Sequence, residues 1–288
     1  KLRSSGIKLP ILILHPQIDD FDEILEYNLE PNIYSFRILE RFLSKSKKHP
    51  FHLKFNTGLN RLGFKIDDVD FKENNIKYIE DAVSQGAIGL KIYKNLGLNL
   101  RDSRNIRVPV DDDRLSHIWE TCAKFNIPVL IHSGEPKAFF DPVNKYNERW
   151  LHAREKPNSF RPSDKYPSFD QVMYEQYQLF KKHPRTTFIN AHFGWYGNDL
   201  AKLSEQLAEL PNVYVEFGAV INELGRQPNT ARRFFEDYQD RILFGKDIYK
   251  MDEYYIYFQV LETDDEYIEY CLLYTSPSPR DKRQSRIA

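Results

Sequence analysis

The sequence predicts an α/β protein of the (β/α)8 TIM-barrel type, composite or incomplete. Short apolar, β-branched runs alternate with amphipathic stretches almost throughout, the pattern of βα units on a parallel sheet. The strand-like runs number eight, as many as such a barrel needs, and 288 residues suit one large barrel domain or two smaller ones.

The strand candidates, in order, are "PILILH" (10–15), "NIYSF" (32–36), "FHLKFN" (51–56) and "AIGLKIYK" (87–94). They continue with "PVLIHS" (128–133), "TTFINAH" (186–192), "NVYVEFG" (212–218) and "RILFGKD" (241–247). Helices are expected between them. "VDDDRLSHIWETCAKF" opens on carboxylates, which favour a helix N-terminus. "SFDQVMYEQYQLFKKH" opens on a serine cap and ends basic. Residues 134–167 form an unusually long connection, rich in Pro, Arg and aromatics. In a barrel it covers the C-terminal face, where chemistry takes place; the bland alternative is a surface insertion. The sequence holds no internal repeat.

Net charge is −1, which favours neither nucleic acid nor an acidic membrane as partner. Cys122 and Cys271 cannot build a disulfide framework, so a cytoplasmic location is expected. The apolar run 9–15 is too short to span a bilayer and lacks a small-residue cleavage site, so it is not read as a signal peptide. The chain starts at Lys1 rather than methionine, so the natural N-terminus is expected upstream. Oligomeric state has no signal.

Three strands end in residues that bind metals. His132 closes "VLIH", His192 closes "FINAH" and Asp247 closes "ILFGKD". In a parallel barrel, strand ends converge on one rim. Two neutral imidazoles and a carboxylate there suit Zn²⁺ with open positions. A bound ion acidifies water, and Asp247 is placed to take the proton as general base. The bland readings are satisfied structural histidines, and a helix N-cap for Asp247.

The stretches "GAIGLKIYKNLGLNLRD", "VLIHSGEPKAFFDPVNKYNERW", "HPRTTFINAHFGWYGNDL" and "DRILFGKD" make the resemblance specific. Residues 66–270 closely resemble the amidohydrolase-related family of metal-dependent hydrolases, a barrel group that includes decarboxylases. The resemblance implies a divalent metal centre at His132, His192 and Asp247. It implies hydrolysis of a C–N or C–O bond by metal-activated water, or decarboxylation. The expected substrate is a small molecule that bears a carboxylate. Lys91 on the fourth strand is a further candidate. It binds a substrate carboxylate, carries a carbamate as in some relatives, or pairs with Glu216 inside the barrel. Glu135 and Arg149, from the long loop, are candidate substrate contacts. The family opens with an H-x-H pair on strand one, and none occurs here. His15 ends the first strand candidate alone and reads as a loop histidine. Metal affinity is therefore expected to be severely reduced and the chain to be inactive.

Residues 3–64, through "HLKFNTGLNRLGF" above all, resemble the N-terminal PLP barrel of alanine racemase. The resemblance places a carbamylated lysine at Lys54 and a substrate-positioning arginine at Arg61. The lysine that carries PLP in that family has no counterpart here, so PLP is not expected. The tail "CLLYTSPSPRDKRQSRIA" (271–288) is Ser/Pro/Arg-rich and reads as disordered; it resembles translated sequencing adapter. The expected organisation is racemase-like units over 1–65, amidohydrolase-related units over 66–270 and a tail over 271–288, a chimera with a seam near Phe64–Asp67. The alternatives are a racemase fragment or a non-enzymatic barrel.

Overall fold

The structure, a computed structural model, describes residues 3, 6–13, 16–33, 36–54, 66–247 and 251–265. His15, Arg61 and the tail 271–288 lie outside these residues, and of Lys54 the backbone is described.

All eight expected strands form. They are β1 (Leu12–Ile13), β2 (Glu30–Ile33), β3 (Phe51–Lys54), β4 (Ala87–Ile92), β5 (Val129–Ile131), β6 (Phe188–Asn190), β7 (Val213–Glu216) and β8 (Ile242–Leu243). They build one parallel sheet in sequence order, curled as in a TIM barrel. The described pairings run from β1–β2 to β7–β8, with none between β8 and β1. Among the described residues, both edge strands are two residues long.

The helices follow the sequence pattern. Ser168 caps the helix Phe169–Lys182 by accepting a hydrogen bond from the Gln171 amide at 3.1 Å. Asp112 caps the turn before Ser116–Lys124 in the same way, accepting from Arg114 N. Among the described residues, no helix is long and apolar enough to cross a membrane.

Apolar residues separate into two main clusters. The larger runs from Ile79 to Tyr257 and includes Trp119, Phe180 and Phe188. The smaller holds Phe21, Ile24, Ile33, Ile38, Phe42 and Phe51, closed by Ala82 and Ala87. The helix Phe71–Ser84 divides them: Ile79 faces the large cluster, whereas Ala82 and Tyr78 face the small one. The strand pair joining the two parts, β3–β4, is irregular, with a register shift between Phe51 and Leu53. His52 fills the space over Gly89, where an added Cβ would lie 2.4 Å from its Nδ1. His52 Nε2 is in turn held by Glu30 Oε2 at 2.9 Å.

Residues 134–167 are not a bare loop. They contain the short helix Trp150–Glu155 and a small apolar cluster of their own, Phe139, Ala153 and Phe160. This segment lies over the rim where β5, β6 and β7 end.

Candidate active site at the strand ends

His132 follows β5 directly, and its amide donates to Ile92 O at 3.0 Å, which extends the ladder by one residue. β6 ends at Asn190 and gives way to a tight turn. His192, Phe193, Gly194 and Trp195 all have left-handed backbone there, with φ of 58°, 52°, 56° and 63°. For each non-glycine residue this costs about 1 kcal/mol. The surroundings hold the turn. The Phe193 ring is fully buried against Phe217, Phe234 and Phe235. The amide of His192 donates to Glu216 Oε2 at 3.3 Å.

The turn brings the two expected histidines together. The rings of His132 and His192 lie 4.4 Å apart at 76°, and the Trp195 indole stacks on His192 at 4.6 Å. His192 Nδ1 lies 2.7 Å from Gly218 O. A carbonyl only accepts, so Nδ1 carries a proton, and in the neutral ring Nε2 then presents the lone pair. That buried Nε2 makes no hydrogen bond and faces Asp247 Oδ2 at 3.5 Å. Two neighbouring ligands of a tetrahedral ion, each about 2.1 Å from it, stand about 3.4 Å apart. The His192–Asp247 pair thus has the spacing of two ligands of one metal. A complete set is another matter: among the described residues, no three His, Cys, Asp or Glu side chains are arranged to hold an ion. The donor set falls short of a tight metal site.

Glu216, at the end of β7, joins this group. Its carboxylate accepts from the amides of Gly218 and His192. Burial pushes its pKa up; the neighbouring His192 opposes this and the Asp247 charge adds to it. Gly245 must lack a side chain here, because a Cβ would collide with the Glu216 carboxyl.

Lys91 is buried on β4, with Lys54 and Leu130 as its cross-strand neighbours. Glu135 and Arg149 both line an open cavity of about 630 Å³ beside the histidines, together with Lys94, Phe139, Arg161 and Trp195. Their charged ends have protein partners. Glu135 takes Lys94 at 2.7 Å and Arg161 at 2.5 Å, and Arg149 pairs with the buried Glu223 at 3.0 Å. Burial pushes the Glu223 carboxyl up, against the pull of Arg149.

Sequence reasoning named Glu216 solely as a partner for Lys91 and passed over Trp195, Lys94 and Arg161. The alternation in "NVYVEFG" does mark Glu216 as an odd carboxylate on a buried strand. Lys94 and Arg161 meet Glu135 across 41 and 26 residues, which no local pattern announces.

The family model described as amidohydrolase matches residues 61–284, and that described as alanine racemase, N-terminal domain, matches residues 1–83. The alanine racemase of Clostridium kluyveri is 36 % identical over 78 residues, 25 % of this chain and 20 % of the relative. That of Fusobacterium nucleatum is 35 % identical over 85 residues, 27 % of this chain and 24 % of the relative. The chain thus spans about a fifth to a quarter of the length of the curated relatives it matches. Among solved structures, an uncharacterized TIM-barrel protein from Bordetella bronchiseptica superposes with a TM-score of 0.50 at 14 % identity. The match covers 92 % of this chain and 74 % of that one, and it shows the fold. A dihydroxybenzoic acid decarboxylase from Polaromonas, solved with bound manganese, gives a TM-score of 0.49 at 15 % identity, covering 98 % and 80 %.

Proposed function

This chain belongs to the amidohydrolase family over most of its length, and from that membership we propose that residues 66–270 are the strand-four to strand-eight part of a metal-dependent enzyme. The reaction class is hydrolysis of a C–N or C–O bond, or decarboxylation, on a small carboxylate-bearing substrate. One observation carries this reading: the His192 lone pair faces the Asp247 carboxylate across 3.5 Å, and Gly218 fixes the ring in that orientation. Two electron-rich groups so opposed call for a cation between them. A divalent ion, zinc in this reading, would supply an acidified water there. Asp247 is half exposed, so it can take a proton from that water and release it to solvent. His132 lies ring to ring with His192 and is the third candidate ligand. Lys91, Glu135 and Arg149 are the candidate substrate side.

With no H-x-H in the sequence, this chain is expected to bind metal weakly and to turn nothing over. Titration with Mn²⁺, followed by electron paramagnetic resonance, tests the site. Weak binding by the chain, lost in both His192→Ala and Asp247→Asn, is the expected result. Equal binding by the chain and both variants would sink the assignment.

We further propose that the racemase-like part over 1–65 and the tail over 271–288 come from other sources than 66–270. Two separate apolar clusters and the irregular β3–β4 pair support a joint. The racemase match favours, as second reading, a fragment of a PLP-dependent isomerase with Lys54 and Arg61 as remnants. PLP itself is not expected to bind covalently. Sequencing of single source-DNA molecules across codons 60–75 and 265–275 decides. Molecules that carry both junctions would overturn the composite origin.

A further inference from the structure

Residues 140–160 have the build of a flap. Their two ends meet. The Arg161 amide donates to Phe139 O at 2.8 Å and the Arg161 side chain binds Glu135, so a backbone bond and an ion pair together close a neck. On either side of that neck, Phe140 and Tyr166 pack against the larger apolar cluster, and the Phe140 ring meets Phe169 at 5.7 Å. The neck is thereby fixed to the barrel. Beyond it the segment packs on itself: Phe139, Ala153 and Phe160 form a cluster separate from the two main ones, and Asn147 Nδ2 donates back to Ala138 O at 2.8 Å. A compact loop with joined ends can move as one piece about those ends.

The far side of the flap reaches the barrel through charge. Arg149 Nη2 donates to Glu223 Oε1 at 3.0 Å, and Glu148 binds Arg226; Glu223 belongs to the short helix Ile221–Gly225. The Arg149–Glu223 pair is the stronger contact, because its side chains are only 12 % and 7 % exposed, whereas the Glu148–Arg226 pair is open to solvent. A pair so enclosed holds while both charges are present, and either one alone is better off in water. The cavity of about 630 Å³ lies between flap and rim, with His152, Pro157 and Ser159 on one side and Lys94, Trp195 and Ala219 on the other.

We propose that residues 140–160 are a lid that swings about the Phe139–Arg161 neck, and that Arg149 and Glu223 are the latch that holds it over the strand ends. Latched, the lid keeps bulk water from Trp195 and from the His192 ring stacked on it; released, it uncovers both. The lid needs no metal, and it gives Arg149 a task besides substrate contact.

Tryptophan fluorescence quenched by acrylamide tests this in the full chain. The sequence holds three tryptophans, of which Trp119 is fully buried in the core and Trp150 lies exposed on the lid. Trp150→Phe therefore leaves Trp195, under the lid, as the reporter. In that background Glu223→Gln is expected to raise the quenching constant severalfold. Arg149→Gln breaks the latch from the lid side and is expected to do the same. Circular dichroism reports folding of both. Adding Trp195→Phe is expected to abolish the rise. Unchanged quenching in a folded latch variant overturns the proposal. So does a rise that survives Trp195→Phe, because it then comes from Trp119 in a loosened core. Either failure leaves the His192–Asp247 pair untouched, since the Mn²⁺ titration reads that pair without the lid.

Discussion

Gly194→Ala is expected to destabilise the protein by about 2–4 kcal/mol, because two costs add at one atom. Gly194 has φ of +56°, where an alanine is strained by about 1 kcal/mol. The new Cβ would also fall 2.2 Å from Asn190 Nδ2 and 2.8 Å from Gln176 Oε1. Those two atoms form a buried hydrogen bond of 2.8 Å that ties β6 to the helix Phe169–Lys182. Forcing them apart leaves buried polar groups unpaired, at about 1–3 kcal/mol. Gly6, with φ of +85° and nothing within 4 Å of an added Cβ, is the control that carries strain without collision. Urea unfolding of both variants measures the difference. A loss at position 194 no larger than at position 6 would remove the turn's claim to hold His192 in place.

That turn also shows where the sequence stops being legible. Left-handed backbone is normally announced by glycine or asparagine, whereas "HFGW" contains one glycine among four such residues. The conformation is imposed from outside, by the Phe193 pocket and the hydrogen bonds that His192 donates to Gly218 O and the Glu216 carboxylate. The strands were easier to read. Each apolar run became a strand, although usually shorter than the run itself. Among the described residues, "PILILH" yields two paired residues, Leu12 and Ile13. The proximity of His132, His192 and Asp247 has a related reason: residues just past parallel strands share a rim, whatever joins them. Lys94 and Arg161 were not legible, because their meeting depends on how residues 134–167 fold over that rim.

The distribution of apolar contacts bears on stability. A barrel evolved as one unit packs its helices against the sheet around the whole ring. Among the described residues, the apolar packing divides at the helix Phe71–Ser84, whose two faces serve different clusters. The same helix lies within the overlap, residues 61–83, of the two family matches. Just before it, Asp67 accepts from the Ser103 amide at 2.5 Å and from Arg114 at 3.2 Å. Arg114 also binds Asp102 and Asp112. The residues that open the amidohydrolase match are therefore anchored within it, and they meet β3 through the irregular β3–β4 pair, through His52 lying over Gly89, and through Ala82 and Ala87 packed with Phe51 in the smaller cluster.

Glu175→Ala is expected to cost about 3 kcal/mol, the lower end for breaking a buried ion pair, because the Arg107 side chain left behind is 21 % exposed. Glu175 lies on the helix Phe169–Lys182 with its side chain 4 % exposed, and Arg107 grips both of its oxygens. Gln171 donates to the same carboxylate at 2.8 Å, and Arg107 Nη1 reaches Gly97 O at 2.7 Å. Through these bonds one helix holds the segment after β4, while Gln176, its next residue, holds β6 through Asn190. Removing the carboxylate strands a guanidinium inside the fold and loosens both rims at once. Replacing both partners, Arg107→Met with Glu175→Met, is expected to be close to neutral, because no charge is then left buried. A double-mutant cycle in urea distinguishes the two cases. If the double variant is as unstable as the sum of its parts, the pair is not coupled and the helix does not organise the rim through it.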